Sequence, residues 1–212
     1  MTYVAGVQGT NETNGESDTA GIREDVTDED RIPHRDARGA DAVTRIDCSA
    51  VVMGLHWAPA SQESGPDHHA PDLNAVCLLL DAAQRPLEIV EPRRPRNANG
   101  SVMHTGDSRD GASVWDDERV FAFLDALPQQ VHTLAFGVVS VSGHAFGDVA
   151  GASCHISDHV TDDALVRVDL TALGGTTQYC VATLQRGEAG WLFGREPHAL
   201  VGYSAMLKKA LD

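Results

Sequence analysis

From Val43 onward, short runs rich in Val, Leu, Ile and aromatic residues recur about every ten residues, each closed by Gly, Pro, Asn or Asp. The runs are Ala50–Trp57, Leu73–Leu80, Leu87–Val90, Val120–Leu124, Thr133–Val141, Ala152–Ile156, Val166–Leu170, Tyr179–Gln185 and Trp191–Arg195. That spacing is the sequence form of a β-sandwich or barrel. Thr133–Val141 (TLAFGVVSV) is almost wholly apolar or small, which predicts a central strand. Only Tyr203–Leu211 (YSAMLKKAL) reads as a helix. Met206, Leu207 and Ala210 fall at three- and four-residue spacing, and Lys208 and Lys209 suit the C-terminal end of the helix dipole.

Residues 1–41 lack patterned hydrophobicity, and a segment of that composition cannot bury enough apolar surface to offset its chain entropy. We expect a disordered acidic arm there, followed by one domain over residues 42–212. Over the whole chain, 16 Lys and Arg stand against 31 Asp and Glu, a formal net charge of −15. This disfavours nucleic-acid binding, which draws its affinity from cationic side chains on phosphates, and favours cations as ligands. The start of the chain shows no basic segment followed by an apolar run, and no stretch has the length of a spanning helix. The expectation is a cytoplasmic protein whose four widely spaced cysteines (Cys48, Cys77, Cys154, Cys180) are reduced and packed as small hydrophobes.

Two polar segments interrupt the strand pattern, Ala58–Pro71 and the long Glu91–Asp117. The second holds Asp107 and Asp110 and runs into Asp116-Asp117-Glu118, while Asp72-Leu73-Asn74 opens the strand that ends at Asp81. Adjacent carboxylates repel unless they point apart or share a cation. Strand alternation would send Asp72 and Asn74 to one face, where loop acids could close over them. Calcium takes six to eight oxygens at about 2.3–2.6 Å, which two such segments could supply. The spacing does not match an EF-hand, and solvated surface is the plainer reading of an acidic loop in an acidic protein.

Other motifs carry less. Of ten histidines, none lies in a zinc-protease or two-Cys/two-His spacing. No Ser lies in a nucleophile elbow, and Cys77 reads as core. Trp57, Trp115 and Trp191 read as core or rim packing. Arg93-Arg94-Pro95-Arg96 could grip an anion or a phospholipid head group, which leaves peripheral membrane contact open, although a solvated loop is favoured.

Taken in order, several pieces resemble the TerD-type tellurium-resistance and stress-response proteins. They are Asp72-Leu73-Asn74-Ala75 with Leu79-Leu80-Asp81-Ala82, then Asn99-Gly100-Ser101-Val102 with His104-Thr105-Gly106-Asp107, then Asp116-Asp117-Glu118. Upstream, Val51–Trp57 looks like that family's opening strand, and Phe146–Val149, Val168–Leu170 and Gly190–Phe193 match later elements. The resemblance implies an all-β fold, a β-sandwich of about eight or nine strands with a short C-terminal helix. It further implies a non-enzymatic role in stress response and tellurite resistance, protein partners among other stress proteins, and calcium bound by the end loops. The ligands it carries over are Asp72, Asn74, Asp107, Asp116, Asp117 and Glu118, with Asp81 a secondary candidate; His104 falls at a position suited to a structural hydrogen bond. Asn74 replaces a family Asp, Ser108 replaces an Asn, and Trp115 stands where the family has Gly, so a weakened calcium site is expected. Two other readings are a calcium-independent interaction module of the same fold and a metal-dependent hydrolase using Asp116, Asp117 or Glu118.

Overall fold

A computed structural model describes residues 43–59, 69–195, 202–207 and 209. The expected arm over 1–41, most of the Ala58–Pro71 loop and the end of the expected helix lie outside these residues. The described chain forms β1 (Thr44–Ile46), β2 (Ala50–His56), β3 (Leu73–Leu80), β4 (Pro86–Val90), β5 (Val102–His104) and β6 (Glu118–Phe123). It continues through β7 (Thr133–Ser140), β8 (Ser153–Asp158), β9 (Ala164–Asp169), β10 (Gln178–Gly187) and β11 (Gly190–Gly194). A six-stranded sheet runs β1-β11-β10-β7-β3-β4 and a five-stranded sheet runs β5-β6-β2-β8-β9.

Each of the nine runs falls on a strand, and β7 is internal, between β10 and β3. Two strands escape the pattern. β1 and β5 have three residues each and lie at sheet edges, too short to display alternation. β5 therefore divides what reads as one long loop from Glu91 to Asp117.

Alternation builds the core. Leu73, Ala75, Cys77 and Leu79 of β3 face Leu55, Trp57, Val120 and Phe136 between the sheets. Val76, Leu78 and Leu80 face the other way, where Tyr203 and Leu207 of the C-terminal helix cover them with Ala135 and Cys180. β3 is thus apolar on both faces, which explains its unbroken hydrophobic run. The helix is seated by Tyr203 Oη, which donates to Gln84 Oε1 at 2.7 Å, and by Ser204 Oγ, which accepts the Cys180 N–H at 2.9 Å beside a register shift in β10. Gly137 on β7 makes room beneath it: a Cβ there would run into the Leu207 side chain and stand 2.9 Å from the Tyr179 carbonyl oxygen.

All four cysteines are free thiols, three of them buried. Burial pushes the thiols of Cys154 and Cys180 up to about 12 and that of Cys48 to about 11, so they remain protonated and unreactive at neutral pH.

Candidate functional site

One end of the sandwich gathers the C-terminal ends of β2 and β5, the N-terminal ends of β3 and β6, and the 105–117 loop. The three adjacent carboxylates that enter β6 point apart. Asp116 turns outward over the five-stranded sheet, where its Oδ2 accepts from Arg119 Nε at 2.8 Å and its Oδ1 lies 3.7 Å from His155 Nδ1. Gly54 beneath leaves the space, since a Cβ there would stand 2.5 Å from Asp116 Oδ2. Asp117 folds its own loop: Oδ2 accepts the Trp57 N–H at 3.0 Å and lies 2.9 Å from His56 Nδ1, while Oδ1 accepts from Ser113 N–H at 3.1 Å and Ser108 Oγ at 3.3 Å. Gly111 (φ +64°) lets this loop cross directly over the Trp57 ring, where no Cβ would fit.

Glu118 continues the inward alternation of β6 and is 1 % exposed. Pairing of β3 with β4 begins only at Cys77, which leaves the Ala75 N–H free to donate to Glu118 Oε2 at 2.7 Å. His104 Nε2 meets the same oxygen at 3.1 Å, with both side chains fully buried. The Gly106 N–H donates to His104 Nδ1 at 3.2 Å, so the geometry puts the ring proton on Nε2, facing the carboxylate. The other oxygen, Glu118 Oε1, is buried with no hydrogen-bond partner. Burial pushes the Glu118 carboxyl up, and Asp107 adds to that; His104 and the Ala75 N–H oppose it.

Asp72 is fixed at the mouth of β3. Its N–H donates to Ser142 Oγ at 3.0 Å and its carbonyl accepts the Val141 N–H at 2.8 Å. Burial and then the neighbouring Asp107 raise its carboxyl above the usual range, while Arg109 and Arg93 pull it down. Asp107 thus raises the carboxyls of both Asp72 and Glu118. Its own Oδ2 accepts from Arg109 Nε at 2.9 Å at the rim of a depression lined by Gly106, Asp107, Ser108, Arg109, Asp110 and Asp117. Asp72 Oδ1 and Asn74 Oδ1 are buried and unpartnered, as Glu118 Oε1 is.

The six carried-over residues thus separate into distinct environments. Asp107 pairs with Arg109, Glu118 is bonded through Oε2 alone, and Asp116 and Asp117 have protein donors on their oxygens. Asn74 lies on the face of β3 that carries Val76 and Leu78, opposite the inward face of Glu118. Asp81 is at the far end of β3, about 26 Å of strand away, capping a hairpin through the Ala83 and Arg85 N–H groups. Among the described residues no three His, Cys, Asp or Glu side chains are grouped closely enough to cage a metal by themselves. Sequence reasoning passed over Arg109 and His56, which carry no motif of their own. It also placed Trp115 in packing, whereas Trp115 is 76 % exposed beside the 92 % exposed Val114 at the loop tip. The arginines Arg93, Arg94 and Arg96 are exposed, as a solvated loop requires.

An end-loop acidic cluster on a two-sheet sandwich defines a class, and comparison with known proteins gives its family. The TerD domain matches residues 42–199, and the chain belongs to that family. It is 33 % identical over 161 residues to the tellurium resistance protein TerZ of Serratia marcescens, spanning 73 % of this chain and 82 % of that one. It is 32 % identical over 153 residues to general stress protein 16U of Bacillus subtilis (strain 168), spanning 68 % and 78 %. A crystal structure of a telluride-resistance protein (TerD) homologue from Streptomyces coelicolor A3(2) shares the fold, with a TM-score of 0.62 at 21 % identity over 70 % of this chain and 88 % of that one. No described helix is long and apolar enough to cross a membrane.

Proposed function

We propose that this protein is a non-enzymatic, cytoplasmic stress-response protein whose end loops take up calcium at reduced affinity and whose scaffold meets protein partners. The carrying observation is the pair of buried, unpartnered oxygens Asp72 Oδ1 and Glu118 Oε1 at the end where Asp107 also stands. A buried acceptor left unpaired costs about 1–3 kcal/mol, more when charged, and a hard cation is the partner that carboxylates accept most readily. Asp72, Asp107 and Glu118 would offer carboxylates to such an ion, with water for the remaining positions. Bound there, calcium would cross-link β3, β6 and the 105–117 loop. The Arg109 contact on Asp107 reduces the negative charge offered, in keeping with weak binding. The names of the relatives, tellurium resistance and general stress, supply the stress role.

Titration calorimetry tests this reading. Calcium is expected to give heat that disappears in Asp107→Ala and persists in Asp81→Ala, which removes an acid at the opposite end of β3. A flat trace from micromolar to millimolar calcium favours instead the calcium-independent interaction module.

A further inference from the structure

An edge strand carries a row of backbone N–H and C=O groups that another chain can pair with, and the two sheets have four such edges, β1, β4, β5 and β9. Three are blunted. β1 has only three residues. β4 opens on Pro86, which has no N–H to offer, and shifts register against β3. β5 is covered by the chain before it, where the His104 N–H donates to the Pro95 carbonyl at 2.8 Å and Arg96 bridges to Met103. Only β9 is both long and, among the described residues, without a backbone partner on its outer side. Its one register shift lies at its start, so Val166–Asp169 pair regularly with β8. The Leu170 N–H extends that ladder by donating to the Ala152 carbonyl at 2.9 Å. Alternation then turns the N–H and C=O groups of Val166 and Val168 toward β8, and those of Arg167 and Asp169 away from it. The side chains of Arg167 and Asp169 are exposed and share one face of the strand, a cation and an anion two residues apart.

We propose that β9 is a self-association edge: two copies of this chain pair antiparallel through it, with Val168 on the two-fold axis and Arg167 of each copy opposite Asp169 of the other. The charges choose this register. Moving the axis one residue either way sets Arg167 against Arg167 or Asp169 against Asp169, and like charges directly opposite each other repel. In the chosen register the residues that oppose each other are also those with free backbone groups, so each Arg167–Asp169 pair exchanges both N–H···O=C bonds beneath its ion pair. The two five-stranded sheets join into one across the axis. Growth stops at two copies, because the contact is isologous and the far edge, β5, is covered. A contact this small with exposed ion pairs forms only at high protein concentration and weakens with salt. The proposal is independent of the calcium reading, since β9 shares no residue with the end-loop acids.

Sedimentation equilibrium of the full chain from about 10 µM to about 1 mM tests it. The wild-type mass is expected to rise with concentration from 22.6 kDa toward twice that value. Arg167→Asp and Asp169→Arg each set like charges in both pairs, and each is expected to weaken the dimer at least about tenfold, or ~1.4 kcal/mol. An equimolar mixture of the two variants again opposes Asp to Arg in both pairs, and is expected to associate within about threefold of the wild type. Both variants remain net acidic, so overall charge does not draw them together. Asp169 Oδ1 also accepts from the Thr171 N–H at 3.0 Å. Should Asp169→Arg fail to fold in a thermal melt, Asp169→Asn keeps an oxygen for that bond and is expected to weaken the dimer several-fold. A wild type that stays at 22.6 kDa throughout overturns the proposal. So do folded single variants that associate as the wild type does, and a mixture of folded variants that stays monomeric.

Discussion

Glu118 concentrates the tension of this site in one side chain. One carboxylate oxygen has two donors, the Ala75 N–H and His104 Nε2, and the other has none. Its pKa is raised above the ordinary 4.5, chiefly by burial. An acid with a raised folded pKa binds its proton more tightly folded than unfolded, so its ionised form subtracts stability. The loss sets in as pH rises through the ordinary value and is complete above the raised one. Glu118→Gln keeps the shape and removes the charge. In chelator at neutral pH it is expected to be more stable than the wild type by about 1–3 kcal/mol, with the difference shrinking to nothing near pH 4, where both side chains are neutral. Denaturant melts across that range check it; a variant less stable at neutral pH would show that the charged form is already satisfied. The acidic triplet itself was legible in the sequence. The separate destinations of Asp116, Asp117 and Glu118 were not, because they depend on where β6 begins, and a one-residue change of register would exchange them.

At the scale of elements, strands announced themselves wherever they had a buried face to advertise. β3 and β7 are unbroken apolar runs because the sandwich buries one face and the C-terminal helix the other. The helix was legible from the spacing of Met206 and Leu207, but its seat was not, since the seat is made by residues on three other strands. Gly137 is the clearest of these. Gly137→Ala places a methyl group against Leu207 and near the Tyr179 carbonyl, an overpacking of the kind that costs about 1–3 kcal/mol. Cys180 lies under the same helix and is fully buried. Lifting the helix should therefore expose a thiol. In the wild type, aromatic disulfide reagents at pH 8 are expected to label Cys48 slowly and Cys180 only on unfolding; in Gly137→Ala, Cys180 should react at least several-fold faster while the β circular-dichroism signal is kept. Unchanged Cys180 kinetics would mean that the helix repacks around the added methyl. β5 and β1 stayed hidden for the opposite reason: three residues at a sheet edge carry no period.

For the molecule as a whole, the order of strands within each sheet is set by pairings distant in sequence, such as β2 with β8 and β7 with β10, and no local pattern encodes them. Family resemblance implied a β-sandwich of about eight or nine strands but not this order, and the two-sheet sandwich observed has eleven described strands. The whole-molecule consequence of the proposed site is a stability linked to free calcium. An ion that binds only the folded chain stabilises it by RT ln(1 + [Ca²⁺]/Kd), about 2.7 kcal/mol at a hundredfold excess over Kd. For a domain of this size that corresponds to a rise in Tm of roughly 5–10 °C. Magnesium should do much less at equal concentration, because it demands near-ideal octahedral geometry at about 2.1 Å and gives up water reluctantly, whereas the oxygens here come from separate, partly exposed segments. Differential scanning fluorimetry in chelator, calcium and magnesium reads this directly. The expected pattern is a calcium-specific, concentration-dependent rise that vanishes in Asp72→Ala. Equal shifts with both ions would instead mark screening of the net charge of −15 by any divalent cation, and would leave the unpaired oxygens of Asp72, Asn74 and Glu118 to be met by water.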